Sequence, residues 1–580
     1  MKTHNGPEIN APRNSFWILV AHFVQRLLAG EEESDNGMSL GLGAVLAILA
    51  SPGAFASIFL IDKYSSLLQW FRHQTFNSYK ASVADEYFFV VLSMTITGLV
   101  MVLRWNRLFP DRRDFSNLAV LPIPIRNVFL ANFVALFGLA LLFAIDINAF
   151  SAFFFPLIVT ISDGQGGSFT KLVLMLRSHA ATVFLSSLFS FFSVFGLVGL
   201  LMLLVPKRLF QPVSLCVRIL LVVALFTEFF ANLFLQLFSG HLSGGSNAYA
   251  QLLPSFWFLG IYEALAHLAS PAGHILAQRA LFATAAAVGI SLGAYALCYR
   301  RCFVRLAESL DMVGSAQQRH RVRCPKWLLQ MLFPSGFERA EASFIASVLV
   351  RSERHVMFLG AYLGIGLVLT AQTAMDSFNH RGTSALPDLN LLATPLMVTF
   401  FILTGLRFAF DMPAVLSANW IFRSTLEEPS PNPRRAVRKI MLFCVLTWQV
   451  AALLPLTVLQ FGWRIAILHT ITVMLLSVTV VEFLLARFHK IPFTCSNRPD
   501  IRMLTIRILG AVFGVMILVP LLASIERGML LNPPRFIFGV VLLAAGWYWI
   551  LHYRRDVPPR DLLITFEDGP APAFELLKLV

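Results

Sequence analysis

Three observations predict an all-α fold, a polytopic helical membrane protein with about twelve transmembrane helices in two six-span halves and amphipathic helices at the interface. Apolar runs recur along the chain, most of them near the ~20 residues that cross a hydrocarbon core about 30 Å thick. Hydrophobic residues make up 57% of the 580 and charged residues only 13%, where a soluble domain carries about 25% charged residues. Lys and Arg also crowd into alternate loops. A net charge of +14 could otherwise point to nucleic acid, but basic residues set between apolar runs orient a membrane protein. No nucleic-acid partner is expected, and the lipid bilayer is.

The chain opens with a cytoplasmic segment, 1–37, whose stretch 16–28 is apolar but too short to span. His22, Gln25 and Arg26 give it one polar side, Asn14 and Ser15 are N-cap candidates, and the acidic Glu31, Glu32 and Glu33 follow in place of a cleavage site. It reads as an interfacial helix. A first six-span unit, 38–298, takes the runs 39–61, 87–103, 127–145, 180–205, 213–238 and 275–298. A basic linker, 299–353, carries Arg319, Arg321 and Arg323 and turns amphipathic from Phe337. A second unit, 354–552, takes 357–374, 391–410, 440–460, 465–486, 508–524 and 536–551, and a tail, 553–580, ends the chain.

With the N-terminus inside, the inward loops 104–126, 206–218, 299–354, 411–439 and 487–507 hold far more Lys and Arg than the outward ones. Both termini are therefore expected in the cytoplasm, in a bacterial-type inner membrane. The six cysteines fall in spans or inward loops, so reduced thiols are expected. Their spacing is not that of a zinc site, and no metal is expected. The outward segment 239–274 has no Lys or Arg and is rich in Leu, Phe and Trp beyond its glycines. Two short helices dipping back into the membrane fit it better than a solvated loop.

Intramembrane polar groups are the first functional pointer, because a charge at the bilayer centre costs ~2.5–3.5 kcal/mol on insertion scales. Glu228, Asn232 and Gln236 fall at i, i+4 and i+8 of the fifth run and share one helix face. They are candidates for a pathway or gate, with interhelical hydrogen bonding as the structural alternative. Asp146, Arg407 and Glu482 lie near span ends and are expected to snorkel or pack.

The loop between the second and third runs is the other pointer. Arg112, Arg113 and Asp114 precede a short amphipathic stretch, and Leu121, Pro122 and Pro124 then force an extended segment that ends at Arg126. This pattern of leucine, proline, apolar, proline and basic residue before a membrane helix resembles permease subunits of ABC-2 type transporters. The amphipathic helix ahead of the first span, the six-span unit and the re-entrant outer segment resemble that family too. In the second half, Ile491-Pro492-Phe493-Thr494-Cys495 resembles a segment of large two-unit permeases. The resemblance implies that Arg112, Arg113, Asp114, Leu121, Pro122, Pro124 and Arg126 form a coupling element docking on a cytoplasmic ATPase.

No Gly-x-x-x-x-Gly-Lys-Ser/Thr occurs in the chain, so ATP and Mg would belong to a separate ATP-binding subunit. The chain is then expected to hold no cofactor, to be no enzyme itself, and to export an unidentified substrate. It would work as a dimer or as a pseudo-dimer of its own halves. Two alternatives stand. Twelve spans in two halves also describe ion-coupled secondary transporters, and Asp111, Arg112 and Arg113 superficially resemble the basic loop of the major facilitator family, without its opening glycine. An intramembrane lipid or glycan transferase is the third reading.

Overall fold

The computed structural model describes residues 13–28, 42–70, 78–109, 124–163, 168–235, 252–268, 271–308, 326–379, 387–414, 419, 434–486, 488, 490–495, 510–511, 513–530 and 532–553. The protein is an all-α, multi-pass membrane protein. Among the described residues eleven helices are long and apolar enough to cross a bilayer. The chain divides into two compact units, Met1–Ser315 and Ala316–Val580.

In the first unit, helix α1 (Arg13–Leu28) precedes α2 (Leu42–Trp70), α3 (Ser78–Leu103), α4 (Ile125–Ile161), α5 (Phe169–Leu204) and α6 (Lys207–Leu235). The short α7 (Pro254–Leu265) and the long α8 (Pro271–Glu308) complete it. Helix α3 is the hub, packed against α4, α5, α6 and α7. Its apolar window is 72% buried, whereas those of α2 and α6 are 17% buried and turn mostly outward. Such a surface suits lipid, which solvates apolar side chains as well as a protein core does. Helix α1 packs on α4.

In the second unit, α9 (Lys326–Leu332) and α10 (Gly336–Arg351) lead into α11 (Glu353–Asn379) and α12 (Leu389–Ala409). Helix α10 opens with a capping residue, Ser335, whose Oγ accepts from the Glu338 N–H. Helix α13 (Arg434–Trp448) passes through a π turn, Gln449–Leu453, into α14 (Leu454–Phe461). Gly462 then reverses the chain at φ +81°, a conformation that favours glycine. Helix α15 (Trp463–Leu484) follows, then a second π turn, Gly514–Leu518, with α16 (Val519–Leu530) and α17 (Pro533–Tyr553). The second span is again the hub: α12 packs against α11, α13, α15 and α16, and its window is also 72% buried.

Several expected boundaries move. Helix α3 starts at Ser78, well before the run at 87–103, and so takes Asp85 and Glu86 into the helix. Helices α4 and α5 have 37 and 36 residues, roughly 55 Å at 1.5 Å per residue, so neither fits a bilayer core without tilting or projecting. Asp146 therefore lies inside α4 instead of near a span end. Asn14 and Ser15 fall inside α1, which begins at Arg13, and so do not cap it. The run 508–524 is interrupted by its π turn, and the helix after it has 12 residues, which accounts for eleven long helices where about twelve spans were expected.

Candidate functional site

A buried polar cluster lies in the first unit, where α3 begins. Lys63 Nζ sits 2.6 Å from Asp85 Oδ1, and Tyr64 OH donates to Asp85 Oδ2 at 2.9 Å. One residue on, Glu86 Oε2 is 2.6 Å from His179 Nδ1 on α5, and both side chains are 0% exposed. The rings of Phe89 and Phe155 pack against the imidazole. Tyr262 of α7 completes the cluster, with its OH 2.9 Å from Ser82 Oγ. Consecutive acids on α3 thus turn to different neighbours: Asp85 takes the lysine of α2, and Glu86 takes the histidine of α5.

The expected pathway residue Glu228 belongs to the same end of the unit. Its Oε1 accepts from the Ser255 N–H at 3.3 Å, and Ser255 Oγ donates to Tyr87 OH at 3.1 Å. Glu228 thereby caps the start of α7 and ties α6 to α3 through Ser255. Asn232 is in helix α6, but its side chain lies outside the described residues, as does Gln236 entirely. One helix is described in the segment expected to be re-entrant, α7, and Gly260 brings it against α8. A Cβ there would meet Gly273 O at 2.7 Å and Ala277 N at 2.8 Å, so this contact is made by backbone.

Deeper in the unit, Asn148 Nδ2 of α4 donates to Ser187 Oγ of α5 at 3.1 Å, and Ser93 Oγ of α3 is hydrogen-bonded to the same oxygen. In the second unit too an amide of the third span donates to a serine of the fourth. Gln449 Nε2, at the π turn of the third span, donates to Ser477 Oγ of α15 at 2.7 Å and to Thr399 Oγ1 of α12 at 3.4 Å. A second buried imidazole–carboxylate pair stands on α15, where His469 Nδ1 lies 2.7 Å from Glu526 Oε1 of α16.

At the other end of each unit, the turn after the second span is fastened. In the first unit Arg26 Nη2 donates to Phe109 O at 2.9 Å and Arg107 Nη1 donates to Arg26 O at 2.8 Å. Asn132 Nδ2 reaches Leu108 O at 3.2 Å. In the second unit, the Phe493 N–H donates to Phe410 O and the Ala414 N–H to Phe493 O. Asn419 Nδ2 donates to Thr494 O at 2.6 Å. Phe493 adopts φ +67°, which is strained for a phenylalanine, while its ring is buried against Phe344, Phe410 and His355. Asp411 bridges Arg407 and Lys490 at 2.6 and 2.7 Å. Burial pushes the Asp411 carboxyl up, but these two cations outweigh burial and hold it below its ordinary value.

Of the snorkelling or packing expected of Arg407 and Glu482, the structure shows packing. Glu482 is 0% exposed and pairs with Arg434 at 3.1 Å and Arg438 at 2.9 Å. Arg407 Nε donates to Leu484 O at 3.1 Å in addition to its pairing with Asp411. Of the expected coupling residues, Arg112, Arg113, Asp114, Leu121 and Pro122 lie outside the described residues. Pro124 is the extended residue at which α4 starts, and Arg126 is exposed in its first turn. Glu86, His179 and Glu526 were not singled out by their charge or pairing in the sequence. Among the described residues no group of three His, Cys, Asp or Glu is placed to hold a metal ion.

These features define a class, a two-unit helical membrane protein with buried polar contacts between its spans. No protein-family model, curated protein or solved structure matches the chain.

Proposed function

We propose that the chain is the membrane-spanning permease subunit of an ATP-driven, ABC-2-like exporter whose ATPase is a separate polypeptide. The observation that carries this reading is the fastening of the loop after the second span in each unit. In the first unit it is bonded to α1, through Arg26 and Phe109. In the second it is bonded to the Phe493–Thr494 segment, against which Phe344 of α10 packs. A loop with a rigid base transmits force into the buried hub helix that it follows, which is what a coupling element has to do. ATP-driven movement of the partner would pull on 110–123 and on its counterpart after α12, and tilt α3 and α12 within their units. A substrate would bias that equilibrium only through a difference in affinity between the two states.

The test is a mild detergent extraction of the tagged protein from its native membrane, with assay of ATPase activity and co-purifying subunits. A P-loop ATPase that co-purifies, and is lost on reversing the charges of Arg112, Arg113 and Arg126, supports the reading. A chain that comes out alone overturns it. An ion-coupled transporter is the second reading, and a specific observation favours it: buried ionisable pairs within spanning helices are typical of proton pathways.

A further inference from the structure

Helix α9 (Lys326–Leu332) lies outside the membrane-spanning helices, yet it is apolar on two opposite faces. Leu329 and Leu332 turn inward and pack with the buried Phe333 just beyond the helix, with Ala342 of α10, and with Ala436 and Ile440 of α13. The Lys439 ammonium lies over the Phe333 ring, 5.7 Å from its centroid. The other face presents Trp327 and Met331, one turn apart, and they are 65% and 76% exposed. Gln330 is exposed beside them. A helix in water turns polar residues outward, so this ridge needs an apolar partner.

Where α9 sits decides what that partner is. Helix α13 opens with Arg434, Arg435, Arg438 and Lys439, and its apolar run starts at Ile440. That change from charged to apolar marks the depth at which a span leaves the headgroups for hydrocarbon. Ala436 and Ile440, on which α9 packs, are one turn apart, roughly 6 Å along the helix. Helix α9 is thus fastened at headgroup level. Trp is favoured there, because its ring is apolar and its N–H finds a hydrogen-bond partner.

Charge and area point to the same partner. Residues 312–337 hold Arg319, Arg321, Arg323 and Lys326 and no acid, and Arg435 is exposed at the start of α13. Cations clustered beside apolar side chains attract anionic headgroups. A stable protein interface takes roughly 800 Å² from each partner, which two side chains do not supply. We propose that α9 is a membrane-surface anchor, whose Trp327 and Met331 enter an anionic leaflet and hold α9 and α10 against it. The inference concerns lipid alone and stands whether or not the chain works with an ATPase.

The test uses the full chain with its native cysteines replaced and Gln330→Cys carrying a nitrobenzoxadiazole fluorophore. It is reconstituted in nanodiscs of phosphatidylcholine, with or without phosphatidylglycerol. In the anionic discs the emission should shift to the blue and resist aqueous iodide. It should lose most of its intensity to a lipid with a nitroxide near the top of its acyl chain. Discs without phosphatidylglycerol should show weaker lipid quenching, and Trp327→Gln with Met331→Gln should restore quenching by iodide. Quenching by iodide and not by lipid, in both kinds of disc, overturns the proposal. Protection from both quenchers also overturns it, since a second copy or another protein surface then covers the ridge. Equal lipid quenching with and without phosphatidylglycerol overturns the assignment to an anionic leaflet. A double variant that stays lipid-quenched overturns the role of the two side chains. If the double variant does not fold, the Gln330→Cys chain decides by itself, since all but the last of these outcomes are read on it.

Discussion

Glu341 lies on α10, outside the membrane-spanning helices, with both carboxylate oxygens buried and without a hydrogen-bond partner among the described residues. Burial, and then the neighbouring Glu338, push its carboxyl from 4.5 up to about 9. Lys439 pairs with Glu338 at 2.6 Å and leaves Glu341 without a cation of its own among the ion pairs of the described residues. The folded chain thus binds a proton that the unfolded chain gives up. Stability from this group is complete below about pH 4.5 and is lost as pH rises toward about 9. Between about pH 5 and about pH 8 it should lower the folding constant about tenfold per pH unit. Glu341→Gln should flatten that slope and raise stability at pH 8, read as the unfolding midpoint in mixed micelles. Equal slopes in the two proteins would show that Glu341 is ionised and paired in the fold. The same residue shows the limit of the sequence. The amphipathic pattern from Phe337 is visible there, but which acid turns inward depends on Lys439, about a hundred residues away. Glu86 and His179 were hidden for a related reason. Their charge and polarity end an apolar run when hydropathy is read along the chain, and only the pairing of α3 with α5 returns them to the interior.

At the scale of elements, apolar length was enough to find the long helices, because a segment must stay apolar over about 20 residues to cross a bilayer. The amphipathic helices ahead of each unit were legible too, from a polar side on short helices, and of the two short helices expected in 239–274 one, α7, is described. Helix ends were not legible, since α4 and α5 run far beyond the apolar cores that announce them. Helix α7 gives the sharpest prediction here. It has 12 residues, too few to be stable in isolation, and it is held by backbone contact with α8 at Gly260 and by the Ser255 bridge between Tyr87 and Glu228. Gly260→Ala would put a methyl group against backbone atoms that cannot rotate away. Overpacking of this kind costs about 1–3 kcal/mol. The variant should unfold at a lower denaturant fraction, and removing the Glu228 contact as well, by Glu228→Ala, should add less than it does alone, because α7 is already displaced. Additive losses would mean that Gly260 and Ser255 act on separate elements.

For the molecule as a whole, the question is whether each unit returns the chain to the side from which it started. The first unit has six candidate spans between α2 and α8, and the second has five long helices plus the interrupted segment that ends in α16. If that segment crosses, the N-terminus, the connector between α8 and α9 and the C-terminus all lie on one side, which the basic residues of 299–354 predict to be the cytoplasmic one. If it does not cross, the C-terminus alone lies opposite. Single cysteines placed at Asn5, Ser315 and Ala571 in a chain with its native cysteines replaced distinguish the two with a membrane-impermeant thiol reagent. All three should stay unlabelled in intact cells and react once the membrane is opened. Labelling at 571 alone would make the π turn at Gly514–Leu518 part of a segment that enters and leaves on one face. Labelling at 315 would break the first unit's six-span count. The π turn is the feature on which this depends. A π turn adds a residue to a helical turn and rotates the helix beyond it, and here it precedes α16, the helix that carries Glu526 to His469. A crossing helix interrupted in this way would keep the second unit's count even and set Glu526 at the depth of His469. One local irregularity would then meet both requirements.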